Sequence, residues 1–246
     1  MFILHVCTLL IFWFCYCRMS RLIQDVYDKN HRAMYIAERG VVFPHLHLRS
    51  SRVDSKDEAR HPKMKYDERY TNYIRRLGLL PFITMVSRGM PKMNPCAITA
   101  LVDRWRPETH TFHLPCGEMT VTLQDVSMIL ALPIKGQPVC KSTDTAGWRG
   151  LMTDFLGQEP GLPNKAAGAP FSWIAQNFAV FPPDLPEDSE IVQQHCRAYV
   201  WYVLSRVLFP DGTGVNAPFM WLQMLASWDF GLSWGTAALA YLYRQV

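Results

Sequence analysis

The segment that decides the fold is residues 94–132, which read NPCAITALVDRWRPETHTFHLPCGEMTVTLQDVSMILAL. Along this segment the spacing of the apolar residues changes from the period of a helix to that of a strand and back again. Residues typical of helix ends and tight turns lie at the points of change. We therefore predict a helix, a β-hairpin and a second helix in that order.

The first predicted helix begins at Asn94, a favourable N-cap, with Pro95 at the first helical position, where the missing N–H costs nothing. Pro107 ends it, because the residue before a proline is disfavoured in helical angles. Four residues at helical spacing form its predicted apolar face: Ile98, Leu101, Val102 and Trp105.

Apolar and polar residues then alternate, which predicts a hairpin over about residues 109–123. Gly117 lies in the turn and can adopt positive φ. Thr122 and Asp125 have the spacing of a capping box at the start of the second helix. Elsewhere, helical spacing predicts further helices at Tyr66–Leu80, Trp148–Leu156, Phe171–Phe181, Ser189–Leu208, Phe219–Ser227 and Trp234–Arg244.

The central segment also carries a family resemblance. Trp105–His113 and Gly117–Val126 closely resemble the plant mobile domain, a family also catalogued as "aminotransferase-like, plant mobile domain". Tyr73–Leu80 and Ser233–Arg244 extend the resemblance. Its members include transposon-encoded proteins and the meristem-maintenance proteins of plants, and the domain also occurs fused to serine/threonine phosphatases of the long-form type 7 class.

The resemblance implies a mainly α-helical, multi-helix single domain with an inserted β-hairpin. It implies a non-catalytic nuclear protein-interaction module in transposon and gene silencing and in meristem maintenance. The sequence has none of the metallophosphatase signatures of the fused relatives. The phosphatase-like partner implied by the family therefore has to act in trans. DNA or chromatin is a further implied partner.

We divide the chain into an apolar leader at residues 1–18, an extended arm and charged linker at 19–65, and the plant mobile domain at 66–246. The resemblance implies that more of the domain follows residue 246. The apolar run Phe2–Cys17 is shorter than the roughly 20 residues of a membrane span. It lacks the positive n-region and the cleavage site of a signal peptide. A signal anchor and a segment packed into the fold are alternatives, but we favour a non-native leader with Met19 as the true start. A membrane contact is expected only if the leader is real.

Composition agrees with a folded domain. The 246 residues are 49% hydrophobic, and the net charge of +4 permits contact with nucleic acid without indicating it. The seven cysteines form no C-x-x-C pair, so zinc-ribbon and thioredoxin-like sites are not indicated.

The sequence indicates no cofactor or metal. An aminotransferase needs a Schiff-base lysine, and residues 94–132 contain no lysine. His45 and His47 lack a third ligand at suitable spacing. His110 and His113 point to opposite faces if they lie on a strand, which argues against a shared ion. No small-molecule substrate is evident.

Glu118 can approach His113 across the turn as an acid/base pair, or the two can simply order the hairpin. We favour the structural interpretation, since no nucleophile is evident. Arg104, Arg106, Glu108 and Asp125 are expected to form either a buried ion pair at the helix–hairpin junction or a docking surface. The complete set of candidate interaction or structural residues is Arg104, Trp105, Arg106, Glu108, Thr109, His110, Phe112, His113, Glu118, Asp125 and Trp234.

Three functional hypotheses follow. The first is the interaction module. The second is a DNA-binding remnant of a transposon-encoded protein, which predicts a contiguous basic surface and salt-sensitive binding. The third is a hydrolase that uses His113 and Glu118, which predicts that these two lie within hydrogen-bond reach in a concave pocket.

Overall fold

The computed structural model describes residues 64–89, 94–114, 117–140, 147–163, 166–181, 183–210, 214–229 and 231–245. The predicted leader, nearly all of the arm and linker, and His45 and His47 lie outside these residues. Among the described residues, no helix is both long and apolar enough to cross a bilayer.

The described residues form a mainly helical domain with two small antiparallel sheets, which confirms the predicted fold class. A short 3-10 turn at Glu68–Tyr70 precedes the first helix. The helices are α1 (Thr71–Arg76), α2 (Leu80–Ser87), α3 (Pro95–Val102), α4 (Leu123–Leu130), α5 (Trp148–Leu156), α6 (Phe171–Phe178), α7 (Glu190–Val203), α8 (Phe219–Gln223) and α9 (Trp234–Gln245). The strands are β1 (Trp105–Arg106), β2 (Thr111–Leu114), β3 (Gly117–Met119), β4 (Gly168–Pro170) and β5 (Asn216–Pro218).

The ends of the central helices are capped as the sequence predicts. The Asn94 side chain accepts the backbone N–H groups of Cys96 and Ala97 at 3.0 and 3.3 Å. Thr122 and Asp125 form a complete capping box at the start of α4. Each cap satisfies helix N–H groups that have no partner within the helix.

Trp105 does not lie on a helix, although its spacing predicts one, and the hairpin gains a third strand that the sequence did not indicate. Helix α3 ends at Val102, and Trp105 lies on β1, which pairs with β2 and extends the predicted hairpin to three strands. The carbonyl of Arg104 accepts the His113 N–H at 2.9 Å. Pro107 disfavours helical angles at Arg106, so the chain before it is available for strand pairing. Trp105 is nevertheless buried, so its apolar role was predicted correctly.

Helix α7 lies at the centre of the apolar core. It contacts α1, α5, α6 and α8, and continues into a π-helical turn at Leu204–Leu208. The indole N–H of Trp201 donates to the carbonyl of Pro218 at 2.8 Å, which joins α7 to the β4–β5 ribbon. The buried side chains of the helix are Val192, His195, Cys196, Ala198, Tyr199, Val200, Trp201, Tyr202 and Val203.

The start of α9 is fixed against two earlier helices. Trp234 is fully buried, and its indole N–H donates to the carbonyl of Leu77 at the end of α1, at 3.0 Å. The Gly235 N–H donates to the carbonyl of Pro133, just after α4, at 2.8 Å. A Cβ atom at Gly235 would lie 2.7 Å from the Ile134 side chain. The backbone of α9 therefore approaches the α4 exit too closely for a larger residue.

We expect Trp234→Ala to lower the free energy of unfolding by about 3–5 kcal/mol, since it opens a cavity in the core. Trp234→Phe keeps most of the volume but leaves the Leu77 carbonyl without its donor, at a cost of about 1–3 kcal/mol. Urea denaturation measures both values. Met128→Ala, at a side chain that is 75% exposed, is the control and should change stability by less than about 0.5 kcal/mol. Equal stability of Trp234→Ala and Met128→Ala would contradict the role of Trp234.

A second feature of the core is the buried histidine His195. Its ring packs edge-on against Phe178 and Phe181, at centroid distances of 5.2 and 4.9 Å. Its Nδ1 lies 2.9 Å from the carbonyl oxygen of Ile191. Burial disfavours the charged ring and lowers the pKa of His195 below its ordinary value.

This lowered pKa predicts a pH dependence of stability. The unfolded chain takes up the His195 proton near pH 6.5, whereas the folded chain takes it up only at lower pH. The contribution is therefore fully present above pH 6.5 and is lost as the pH falls below that value. Thermal unfolding between pH 5 and 8 should show this loss, and His195→Gln should flatten the curve. An equally steep acid limb in His195→Gln would contradict the assignment.

Candidate functional site

The three-stranded sheet has an apolar face and a polar face. Trp105 pairs with Phe112, and Phe112 pairs with Met119. Directly paired residues share a face, so these three side chains lie together. His113 pairs with Glu118, and both lie on the opposite face.

The apolar face packs against the end of α9. The Tyr243 ring lies 5.6 Å from Trp105 and 5.1 Å from His110, measured between centroids. Trp105 and Phe112 meet edge to face at 4.8 Å. His110 adopts a left-handed backbone conformation in the turn before β2, which places its ring in this aromatic cluster. His110 is exposed as a whole residue, so its ring packs at the surface of this cluster.

Hydrogen bonds from Tyr243 join α9 to the backbone after β3. Its hydroxyl donates to the carbonyl of Val121 at 2.6 Å. The hydroxyl of Thr120 lies 2.9 Å from the same phenol oxygen and also reaches the carbonyl of His110. The Tyr243 hydroxyl thus links α9 to the residues that follow β3. Through Thr120 it is also linked to the turn before β2.

The polar face contains the predicted His113–Glu118 pair. Nε2 of His113 lies 3.4 Å from Oε1 of Glu118, a contact that is an ion pair only when the ring is protonated. The ring nitrogens make no hydrogen bond within the described residues, so we treat this as a cross-strand contact. The Thr111 hydroxyl donates to Oε2 of Glu118 at 3.1 Å and lies 2.7 Å from the Thr109 hydroxyl. These contacts link neighbouring strands on the face of the sheet opposite the aromatic cluster.

The four charged residues at the helix–hairpin junction differ in their contacts and in their exposure. The Arg104 guanidinium donates to the Ala100 carbonyl in the last turn of α3, at 2.7 Å. Oδ2 of Asp125 accepts the N–H and the hydroxyl of Thr122, at 2.8 and 2.7 Å. Arg106 is buried, and Glu108 is exposed in the turn before β2. Asp125 therefore belongs to the capping box of α4.

Trp234 lies away from the sheet cluster. It is at the first residue of α9, whereas Tyr243 is near the last. Nine residues of helix separate the two by roughly 14 Å. The structure therefore divides the candidate set into a sheet group and a helix-packing group. Sequence reasoning missed Tyr243 and Thr120, although Tyr243 lies within the Ser233–Arg244 stretch that carried the resemblance.

The described residues show no group of three or more His, Cys, Asp and Glu side chains placed to hold a metal ion. His110 faces the aromatic cluster and His113 faces Glu118, on opposite sides of the sheet. The two imidazoles do not converge, but His110 lies in the turn before β2 and not on a strand, so the turn sets the direction of its ring.

A family model described as the plant mobile domain matches residues 81–246, which include the whole sheet, α4 and α9. The chain belongs to the plant mobile domain family. No solved structure matches it.

Curated relatives from Arabidopsis thaliana match the same domain. The chain is 44% identical over 159 residues to "Serine/threonine-protein phosphatase 7 long form homolog", covering 63% of this chain and 12% of that protein. It is 41% identical over 157 residues to "Protein MAIN-LIKE 2", covering 62% and 23%. It is 34% identical over 166 residues to "Protein MAINTENANCE OF MERISTEMS", covering 64% and 33%. The matches thus span only 12% to 33% of the relatives' length.

We expect Tyr243→Phe to lower the free energy of unfolding by about 1 kcal/mol, because the Val121 carbonyl loses its donor. It should also speed amide exchange selectively in residues 117–122. Hydrogen exchange followed by mass spectrometry measures this local effect.

Tyr73→Phe is the matched control, since the Tyr73 hydroxyl donates to the Glu187 carbonyl elsewhere in the fold, at 3.0 Å. It should cost similar stability without accelerating exchange in residues 117–122. Equal exchange in the two variants would show that Tyr243 does not hold the sheet.

Proposed function

We propose that this plant mobile domain is a non-catalytic protein-interaction module that acts in the nucleus, in transposon and gene silencing and in meristem maintenance. The observation that carries this proposal is the use of candidate side chains of the central segment in structural contacts. His110 packs in the aromatic cluster, Asp125 caps α4, and Arg104 caps α3. Candidate residues of the sequence thus make contacts within the fold.

Exposed side chains on the sheet, in the turn before β2 and on α4 support a docking role. Glu108, Thr109 and Glu118 are exposed, and so are two methionines, Met119 on β3 and Met128 on α4. Flexible thioethers adapt to different partner surfaces, and Met is enriched at protein interfaces. A polar rim with apolar side chains is typical of a protein-binding patch.

The names of the relatives supply the biological setting of the proposal. One is named for the maintenance of meristems, and another is named a phosphatase homolog. The matched part of the phosphatase homolog is 12% of its length. We therefore propose a phosphatase-like protein as the partner in trans, with nuclear localisation.

We also propose that the domain begins near residue 66, ahead of the family match at Pro81. The Tyr66 and Tyr70 rings pack on Tyr199 of α7, at 5.9 and 5.6 Å. The Leu77 carbonyl holds the Trp234 indole. This segment therefore contributes to the same core as the matched residues.

The hydrolase alternative rests on the 3.4 Å contact between His113 and Glu118. It requires that His113→Ala abolish hydrolysis by the purified chain. The interaction module requires instead that His113→Ala leave partner binding measurable. Hydrolysis by the wild type that is lost in His113→Ala would therefore support the hydrolase, whereas no hydrolysis by the wild type would contradict it.

The proposed partner can be tested directly by measuring the affinity of the purified chain for the Arabidopsis phosphatase 7 long form homolog. We expect Met128→Glu to weaken binding at least about tenfold, the size of a typical interface hot spot. Val180→Glu is the matched control, since Val180 is also an exposed apolar side chain and lies on the loop after α6. Equal weakening by both variants, or no binding by the wild type, would contradict the proposal.

A DNA titration separates the interaction module from the transposase remnant. A DNA-binding chain would shift a duplex at low salt, with log K falling linearly as log salt rises. We expect no such shift at 150 mM salt. Salt-sensitive binding to DNA would favour the remnant instead.

A further inference from the structure

Strand β3 is an edge of the three-stranded sheet. The strand order is β1–β2–β3, and all three residues of β3 are exposed. An edge strand presents unpaired backbone groups to which another extended chain can add. A strand can add to β3 only where backbone N–H and C=O groups of β3 point away from β2 and have no partner.

The register shows which backbone groups of β3 face outward. The His113 N–H donates to the Arg104 carbonyl, so the His113 backbone points toward β1. Successive residues point to opposite sides, so Phe112 and Leu114 point toward β3. His113 and Glu118 are therefore a non-hydrogen-bonded pair. It follows that the Glu118 N–H and C=O point away from β2, toward solvent.

The charge at this edge restricts the occupant. The Glu118 side chain is 40% exposed and is the one charged side chain of β3, whose sequence is Gly-Glu-Met. A second copy paired antiparallel about Glu118 would place two carboxylates opposite each other, which is destabilising. An extended segment with a lysine or arginine at that position would place opposite charges together. The edge is thus complementary to a basic strand and not to itself.

We propose that β3 is a strand-addition site for an extended, basic segment of a partner protein. The Glu118 N–H and C=O bond the backbone of the segment, and the Glu118 carboxylate pairs with its lysine or arginine. This inference rests on the proposed function, because it names the surface through which the interaction module binds. It adds the chemistry of the bound segment, which the family assignment does not supply.

Two synthetic peptides test the site without knowledge of the natural partner. Both are seven-residue, alternating Thr/Val strands, one with arginine and one with glutamate at the centre. We expect the arginine peptide to perturb the Glu118 amide resonance of the full-length chain and to bind about five- to tenfold more tightly. Equal binding of both peptides, or no perturbation of that amide at millimolar concentration, would overturn the proposal.

Substitutions at Glu118 separate the contribution of its backbone hydrogen bonds to peptide binding from the contribution of its side-chain charge. Proline is tolerated at an edge position whose N–H faces solvent, so Glu118→Pro removes the outward donor without removing a bond to β2. Glu118→Gln keeps the donor and removes only the charge. We expect Glu118→Gln to bind both peptides alike, and Glu118→Pro to bind neither. Glu118→Arg should prefer the glutamate peptide, and this reversal tests the charge even if the proline variant fails to fold.

The same variants distinguish this inference from the proposed function. If the phosphatase homolog binds the wild type and Glu118→Pro equally, its docking surface lies elsewhere and strand addition is overturned. If the arginine peptide binds at the edge while the phosphatase homolog does not bind at all, the proposed partner is wrong and the strand-addition site stands.

Discussion

The fold depends on the contacts made by the two ends of helix α9. Trp234 bonds to a carbonyl 157 positions earlier in the chain, and Tyr243 bonds to one 122 positions earlier. Both acceptors are main-chain carbonyls just past another element, since Leu77 follows α1 and Val121 follows β3. One rigid helix therefore fixes the distance between the α1 terminus and the sheet. The sheet is too small to be stable alone, because few strands bury little apolar area.

This arrangement explains why residues that look reactive in the sequence serve packing. His110 and His113 are separated by three positions, a spacing that brings side chains together on a helix and apart on a strand. The left-handed turn at His110 sends its ring to the aromatic face, and His113 lies across from Glu118. The geometry of this sheet is therefore compatible with a module that binds through its surface, as we propose for this chain.

The β3 edge differs from the rest of the sheet because nothing in the described residues covers it. The opposite edge, β1, continues directly from α3, and the apolar face is covered by Tyr243. A short acidic edge discourages pairing between identical copies while leaving the backbone accessible to a strand of opposite charge. The apolar face of the sheet therefore contributes to stability, whereas the β3 edge is the part proposed to bind a partner.

The sequence by itself determined the features that depend on neighbouring residues. The Asn94 cap, the Thr122–Asp125 capping box and the helix at Trp148–Leu156 each arise from interactions over a few positions, so local spacing was sufficient to predict them. The family resemblance likewise came from short ordered motifs.

Tertiary structure alone decided that Trp105 lies on a strand, because its spacing fits a helix while its backbone pairs with β2. Tertiary structure also decided the role of Tyr243, since a hydrogen bond between residues 122 positions apart produces no spacing pattern in the sequence. Nonlocal pairing can override local propensity wherever a chain segment is short and both states bury the same side chain.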